Sequence, residues 1–162
     1  FRREAEQCDR VDDILLIGSQ AGGTGAGGSA LFREETLERL CPKNSLVEIS
    51  VAPRASCING PIETINNVLS LGSKAMDYNG INIMVDNEGL ARVAERIDGQ
   101  PIEADYFKRV NAQLAQHVSS LTARRRFGGQ GSQNFGEMIA TLKNFPMIKF
   151  FVAASGNLPL VE

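Results

Sequence analysis

The stretch Asp13-Ile14-Leu15-Leu16-Ile17-Gly18-Ser19-Gln20-Ala21-Gly22-Gly23-Thr24-Gly25-Ala26-Gly27-Gly28 decides how the rest of the chain is read. Asp13 to Gly18 is a short apolar run closed by a glycine, the pattern of a buried strand. The glycine-rich run Gly22–Gly28 that follows predicts a turn into a helix. Such a turn gathers backbone amides around an anion at the positive end of the helix dipole. Glycine suits it because the backbone is expected to take positive φ and to come close to phosphate. Thr24 adds a hydroxyl donor at its centre.

Working outward, a helical stretch passes through Leu31, Leu37 and Leu40 and ends near Cys41-Pro42. Leu46 to Val51 reads as a second strand ended by Ala52-Pro53. Pro61 suits the first turn of a helix running to about Leu71. Ile81 to Val85 is a third strand, and Asp86-Asn87 caps a helix through Leu90, Val93 and Ile97. Tyr106 to Arg126 carries the longest helical pattern, with Val110, Leu114, Val118 and Leu121 on one face. Its closing Arg124, Arg125 and Arg126 complement a helix C-terminus or hold an anion. A loop rich in Gly, Gln and Ser, a short helix over Glu137 to Leu142 and a strand over Ile148 to Val152 complete the order. Strand and helix alternate as in a parallel α/β sheet with helical crossovers. The strands are few for a complete sheet, and both ends look cut, so a fragment of a longer protein is expected.

Composition narrows the class. The 162 residues are 43% hydrophobic and 22% charged, the balance of a globular domain. A net charge of −2 gives no general attraction to nucleic acid or to anionic membrane. The longest apolar runs are about a strand in length, too short for membrane insertion. Cys8, Cys41 and Cys57 are odd in number and widely spaced, which argues against a disulfide framework or a zinc site and for buried thiols. His117 is the only histidine and reads as structural.

Three nucleotide chemistries use a glycine-rich strand-to-helix turn. The Walker type is excluded, because no Gly-Lys-Ser/Thr follows. A dinucleotide fingerprint is satisfied by Gly23, Gly25 and Gly28, with Glu48 about where a ribose-binding acid belongs. The third is a phosphate loop marked by consecutive Gly-Gly-Thr-Gly.

The third option resembles the tubulin superfamily, and the likeness runs along almost the whole chain. Glu4 to Asp9 looks like the helix end before the glycine loop of tubulins, and Ser19 to Gly27 is similar to their signature loop. Ser50-Val51-Ala52-Pro53 with Pro61 to Asn66 resembles the strand, ribose loop and helix that come next. Val85 to Leu90, Arg126-Phe127-Gly128-Gly129 and Phe145 to Phe150 complete the series in order. Departures are Ala21 for a glycine, Ala26 for a serine, Asn134 for an aspartate, and an unusual loop from Arg54 to Gly60.

The resemblance implies a parallel-sheet, Rossmann-like α/β GTPase domain, incomplete, over residues 1–125. Its long central helix, about 104–125, would lead into a second domain over 126–162, with a catalytic loop, a helix and a first strand. It implies that Ser19, Gly22, Gly23, Thr24 and Gly25 contact phosphates, and that Asn59 and Glu63 reach the ribose. Asn87 and Asn111 would read guanine, whose edge both donates and accepts as an amide does. Phe107 would stack on the base. Glu137 falls where the family holds the acid that activates water on the neighbouring subunit's nucleotide. The implied ligands are GTP or GDP with Mg2+, whose protein-side positioning residues would lie upstream of Phe1; no metal ligand is expected within this chain. The implied partners are other tubulin-like subunits in a head-to-tail homo- or hetero-polymer of the cytoplasmic cytoskeleton, with no nucleic acid. The alternatives are an NAD(P)-dependent Rossmann oxidoreductase and a non-catalytic structural or nucleating member of the family.

Overall fold

A computed structural model describes residues 1–55, 60–75, 80–99, 101, 105–129, 134–145 and 147–153, excluding the side chains of 36–38 and 98. Four parallel strands form one sheet in the order β1-β2-β3-β4, with β1 Asp13–Ser19, β2 Ser45–Ala52, β3 Gly80–Asp86 and β4 Phe150–Val152. Short helix α1 (Arg2–Ala5) precedes β1. Between β1 and β2, α2 (Gly23–Leu31) runs into a wider π-helical turn at Phe32–Leu37 and then α3 (Glu38–Leu40). The β2–β3 crossover is α4 (Pro61–Ala75), four residues longer at its C-terminus than the apolar pattern predicts. From β3 the chain passes through α5 (Asn87–Asp98), α6 (Tyr106–Arg126) and α7 (Phe135–Leu142). The last strand begins two residues later than expected and lies beside β3 in the same sheet.

The Asp86 cap read from the sequence is present, and the structure adds caps at Gly99 and Asn134 that were not anticipated. Asp86 accepts from the backbone N–H groups of Glu88 and Gly89 at the start of α5, and Gly99 closes that helix at φ 63°. Asn134 does the same for α7, accepting from Glu137 N at 2.7 Å. At the far end of α6, Arg125 pairs with Asp12 and Asp13, while Arg126 bonds Ser119 and Thr122. Those two arginines therefore fasten their own helix and the start of β1.

The two faces of the sheet differ in chemistry. Val47, Ile49, Ile81, Ile83 and Val85 form an apolar core with Leu90, Ala91 and Ala94 of α5, Val110 of α6 and Phe135 of α7. Alternation sends the intervening residues Glu48, Ser50 and Asn82 to the other face, and all three are buried. There Glu48, 1% exposed, accepts from Arg33 at 2.5 Å and from Lys74 at 3.2 Å. Lys74 and Asn82 both donate to Ser50, and Arg33 also donates to Ser73. Helix α4 consequently turns Ser70, Ser73 and Lys74 toward the sheet and leaves Ile62, Ile65, Val68 and Leu69 exposed.

Burial pushes the Lys74 ammonium below its ordinary value, against the opposing pull of Glu48. Below the ordinary lysine value of 10.5 the unfolded chain then binds the proton more tightly than the folded one. The Lys74 contribution to stability therefore rises with pH toward that value, and Lys74→Met removes this slope in urea titrations at several pH values. Glu48→Ala strands two buried cations and is expected to cost about 3–5 kcal/mol. Lys74→Met leaves the Arg33–Glu48 pair intact and is expected to cost less. The reverse ranking in urea denaturation would remove Glu48 from the centre of the network.

Candidate functional site

The glycine-turn end of the candidate site is built where β1 stops. Gln20 N donates to Val51 O at 3.0 Å, and the Gln20 side chain is fully buried with Nε2 toward the Met84 sulfur. The chain turns over Gln20 to Gly22, with Gly22 as N-cap of α2 and no side chain capping it. Ala26 N reaches back to Gly22 O at 3.0 Å, so the amides of Gly23, Thr24 and Gly25 precede the first helical bond. Gly22, Gly23 and Thr24 are exposed. An uncapped, exposed helix N-terminus of this kind fits an anion.

Two details of the sequence reading change here. The glycine run is mostly helix rather than turn, since α2 already begins at Gly23. No glycine in the run has positive φ; among the described glycines only Gly99 does. At Gly25 close approach is the reason for glycine instead. A Cβ on Gly25 would lie 2.5 Å from Ser19 O and 2.7 Å from Ser19 Oγ. The first turn of α2 is thereby pressed onto the end of β1, which brings Ser19 and the free amides to one place.

The second part of the site lies at the same, C-terminal edge of the sheet. A pocket of about 150 Å³ is walled by Ser19 and Ala21, by Pro53 and Arg54 after β2, by Asn87 at the start of α5, and by Phe107 at the start of α6. Phe107 is 68% exposed, with its ring edge-on to Tyr106 at 5.1 Å. Asn111, one turn along α6, lines a different groove with Ile17 and Leu114, so the structure does not bring it into the pocket of Asn87 and Phe107. Glu63 lies half-buried in the first turn of α4. Asn59 lies outside the described residues.

Sequence reasoning passed over two groups that the fold brings in. Asn66 of α4 donates to Ala21 O at 3.3 Å and ties α4 to the glycine turn. Arg54 pairs with Glu88 at 2.8 Å and lies over the Tyr106 ring. The only signal for Arg54 was the unusual composition of its loop.

Glu137 is exposed and occupies the opposite edge of the sheet. Phe135 N donates to Asp13 Oδ2 at the first residue of β1, whereas Ser19 is the last residue of that strand. Six strand steps separate the two edges, about 20 Å at ~3.3 Å per residue. Asn134 caps the helix that carries Glu137, accepting from its backbone N–H.

Glu48 is unavailable to a ribose, being buried under α2 and α4 between two cations, and the dinucleotide reading loses its acidic residue. Among the described residues no cluster of three or more His, Cys, Asp or Glu could hold a metal ion. Cys41 is half-buried, but Cys8 is exposed, against the expectation of buried thiols. The polar surroundings of the short α1 explain this, since no core forms on that helix. Cys57 falls outside the described residues. His117 Nδ1 lies 2.8 Å from Gln113 O within its own helix, a local bond consistent with a structural residue. Among the described residues no helix is long and apolar enough to cross a membrane.

Residues 1–95 match the family model described as Tubulin/FtsZ family, GTPase domain. The chain is 31% identical to a tubulin alpha chain of Encephalitozoon cuniculi (strain GB-M1) over 154 residues, covering 95% of this chain and 34% of that protein. It is 32% identical to the tubulin alpha-4 chain of Drosophila melanogaster over all 162 residues, 34% of that protein. A tubulin alpha chain of Dictyostelium discoideum is 29% identical over 95% of this chain and 33% of its own length. The chain thus spans about a third of the length of these relatives.

The glycine geometry is directly testable. Gly25→Ala must displace Ser19 or α2 and is expected to destabilise by about 1–3 kcal/mol. Gly27 has open space around its Cβ position. Gly27→Ala is expected to be neutral or to stabilise by up to ~1 kcal/mol through helix propensity. Thermal unfolding of the two variants checks the contrast.

Proposed function

The chain belongs to the Tubulin/FtsZ family, and from that premise we propose that it is part of a GTP-binding, GTP-hydrolysing subunit of a cytoskeletal filament. In this reading Ser19 and the amides of Gly22, Gly23, Thr24 and Gly25 hold phosphate, and Asn59 and Glu63 meet the ribose. Asn87 and Asn111 hold guanine while Phe107 stacks on it. The phosphate end fits this assignment because its first-turn amides have no side-chain cap. The base end fits because Phe107 offers an exposed aromatic face beside Asn87. Mg2+ would neutralise phosphate charge when bound.

The observation that carries the proposal is the separation of Glu137 from the glycine turn. An acid about 20 Å from its own phosphate site, at the opposite edge of the sheet, serves only a nucleotide presented by another subunit. Stacking such subunits head to tail sets the Glu137 edge of one against the glycine-turn edge of the next. That contact is heterologous and grows an open filament. Glu137 then orients water for attack on the terminal phosphate, the role of a water-positioning residue in phosphoryl transfer. The domain boundary near residue 125 and a cytoplasmic location belong to the same reading. The non-catalytic alternative is separated from it by turnover.

Glu137→Ala in the full-length protein is expected to keep guanine-nucleotide affinity within about twofold and to lower GTP turnover in assembled protein by roughly 100-fold or more. Phosphate release at matched polymer mass measures this. Unchanged turnover would eliminate the catalytic role of Glu137, and native protein free of guanine nucleotide would eliminate the site.

A further inference from the structure

Helix α4 is amphipathic in the reverse sense for a crossover helix. Ser73 and Lys74 turn toward the sheet, bonded to Arg33, Glu48 and Ser50. Ile62, Ile65, Val68 and Leu69 are left 72%, 55%, 62% and 66% exposed on the outside. Apolar residues scattered singly over a surface are ordinary, but these four follow one another at helical spacing along one stripe. Together they keep on the order of 500 Å² of apolar surface in water, near the upper end of the largest patch on a monomer.

Charge, size and area all fit a second identical face. The charged residues of α4 are Lys74, which is buried, and Glu63, which is half-buried in the first turn. Its exposed positions carry no charge, so two copies of the face meet without like-charge repulsion, and a charged partner finds nothing to pair with. The large Ile62 and Ile65 stand in the N-terminal half of the stripe, and the small Gly72 and Ala75 in the C-terminal half, all of them exposed. A Cβ on Gly72 would meet nothing within 4 Å, so the notch there is open. An antiparallel copy, related by a two-fold axis passing between Val68 and Leu69, sets Ile65 against the other copy's Gly72 and Ile62 against its Ala75. Val68 then meets Leu69 at the centre. Large faces small along the contact, which lets two helices pack at about 8–10 Å between axes. Two such faces bury about 1,000 Å², the least that a specific interface requires.

We propose that the outer face of α4 is an isologous interface, which pairs antiparallel with α4 of a second copy of this chain about a two-fold axis between Val68 and Leu69. The contact is independent of the guanine-nucleotide reading, since α5 and α6, which carry Asn87, Phe107 and Asn111, pack on the other face of the sheet. A two-fold contact closes on itself and joins subunits in pairs, whereas a head-to-tail contact extends a row. In the filament proposed above, the α4 pair links two rows of opposite polarity.

Sedimentation velocity of the full-length protein, in samples free of polymer by light scattering, tests this. The native protein is expected to show a monomer–dimer equilibrium. Leu69→Glu sets two carboxylates beside the axis and is expected to weaken the dimer roughly 100-fold or more. Gly72→Leu fills the notch and is expected to weaken it about tenfold, although leucine favours the helix itself. Adding Ile65→Ala to Gly72→Leu exchanges large and small across the contact and is expected to restore dimerisation. A dimer that Leu69→Glu leaves intact overturns the proposal, as does native protein that stays monomeric to about 100 μM. Monomeric native protein that Leu69→Glu destabilises in thermal unfolding assigns the face to another segment of the same polypeptide, and overturns it. Monomers that bind phospholipid vesicles through this face overturn it as well. Dissociation by Leu69→Glu without rescue by the Ile65→Ala exchange overturns the antiparallel register. Should Leu69→Glu fail to fold, Val68→Glu with native-like thermal unfolding takes its place, under the same outcomes.

Discussion

A carboxylate buried in the middle of a parallel sheet is costly unless cations meet it, and Glu48 is such a group. It stands on the central strand β2, flanked in register by Leu16 of β1 and Asn82 of β3. The two cations come from different crossovers: Arg33 from the wider helical turn after α2, and Lys74 from the end of α4. Their need to converge on one carboxylate sets how α2 and α4 lie on that face. It also explains why α4 packs its polar side inward, contrary to the usual orientation of an amphipathic crossover helix.

The site depends on that placement. Helix α2 carries the glycine turn at its N-terminus, and α4 holds Ala21 of the turn through Asn66. Gly25 then lets α2 approach Ser19 to a distance no side chain would permit. The first-turn amides are thus presented by a helix anchored at its far end by Arg33. On the opposite face, ordinary apolar packing fixes α5 and α6. The pocket forms where the starts of α5 and α6 meet the ends of β1 and β2. One face is held by charge and the other by hydrophobic contact, and the candidate nucleotide site spans both.

Polarity of the strands gives the fold its direction. All of the strands run the same way, so the glycine turn, Arg54 and Asn87 collect at one edge. Asp12, Asp13, Arg125 and the start of α7 collect at the other. A parallel sheet therefore has two chemically different ends.

Much of this was legible in the residues. Period and capping located β1, β2, β3, α5 and α6, because buried apolar alternation and an Asp86 cap are local signals. Ordered motifs marked the family, and with it Ser19, Asn87, Phe107 and Glu137 as residues to examine. Other features were not local. Glu48 fitted a ribose-binding acid by spacing, and only the approach of Arg33 and Lys74 from distant helices revealed a buried structural carboxylate. The glycines matched a turn with positive φ, yet at Gly25 the packing on Ser19 made close approach, rather than positive φ, the reason for glycine. Arg54 carried no motif at all, and its place beside Tyr106 and Glu88 depends on three segments meeting. The sequence by itself determined a parallel α/β sheet with a glycine-rich turn into its first crossover helix, since strand period, helix caps and glycine content act over a few residues. Tertiary structure alone decided which charges are buried, which residues share the pocket, and that Glu137 faces away from it, because those depend on contacts between residues far apart in the chain.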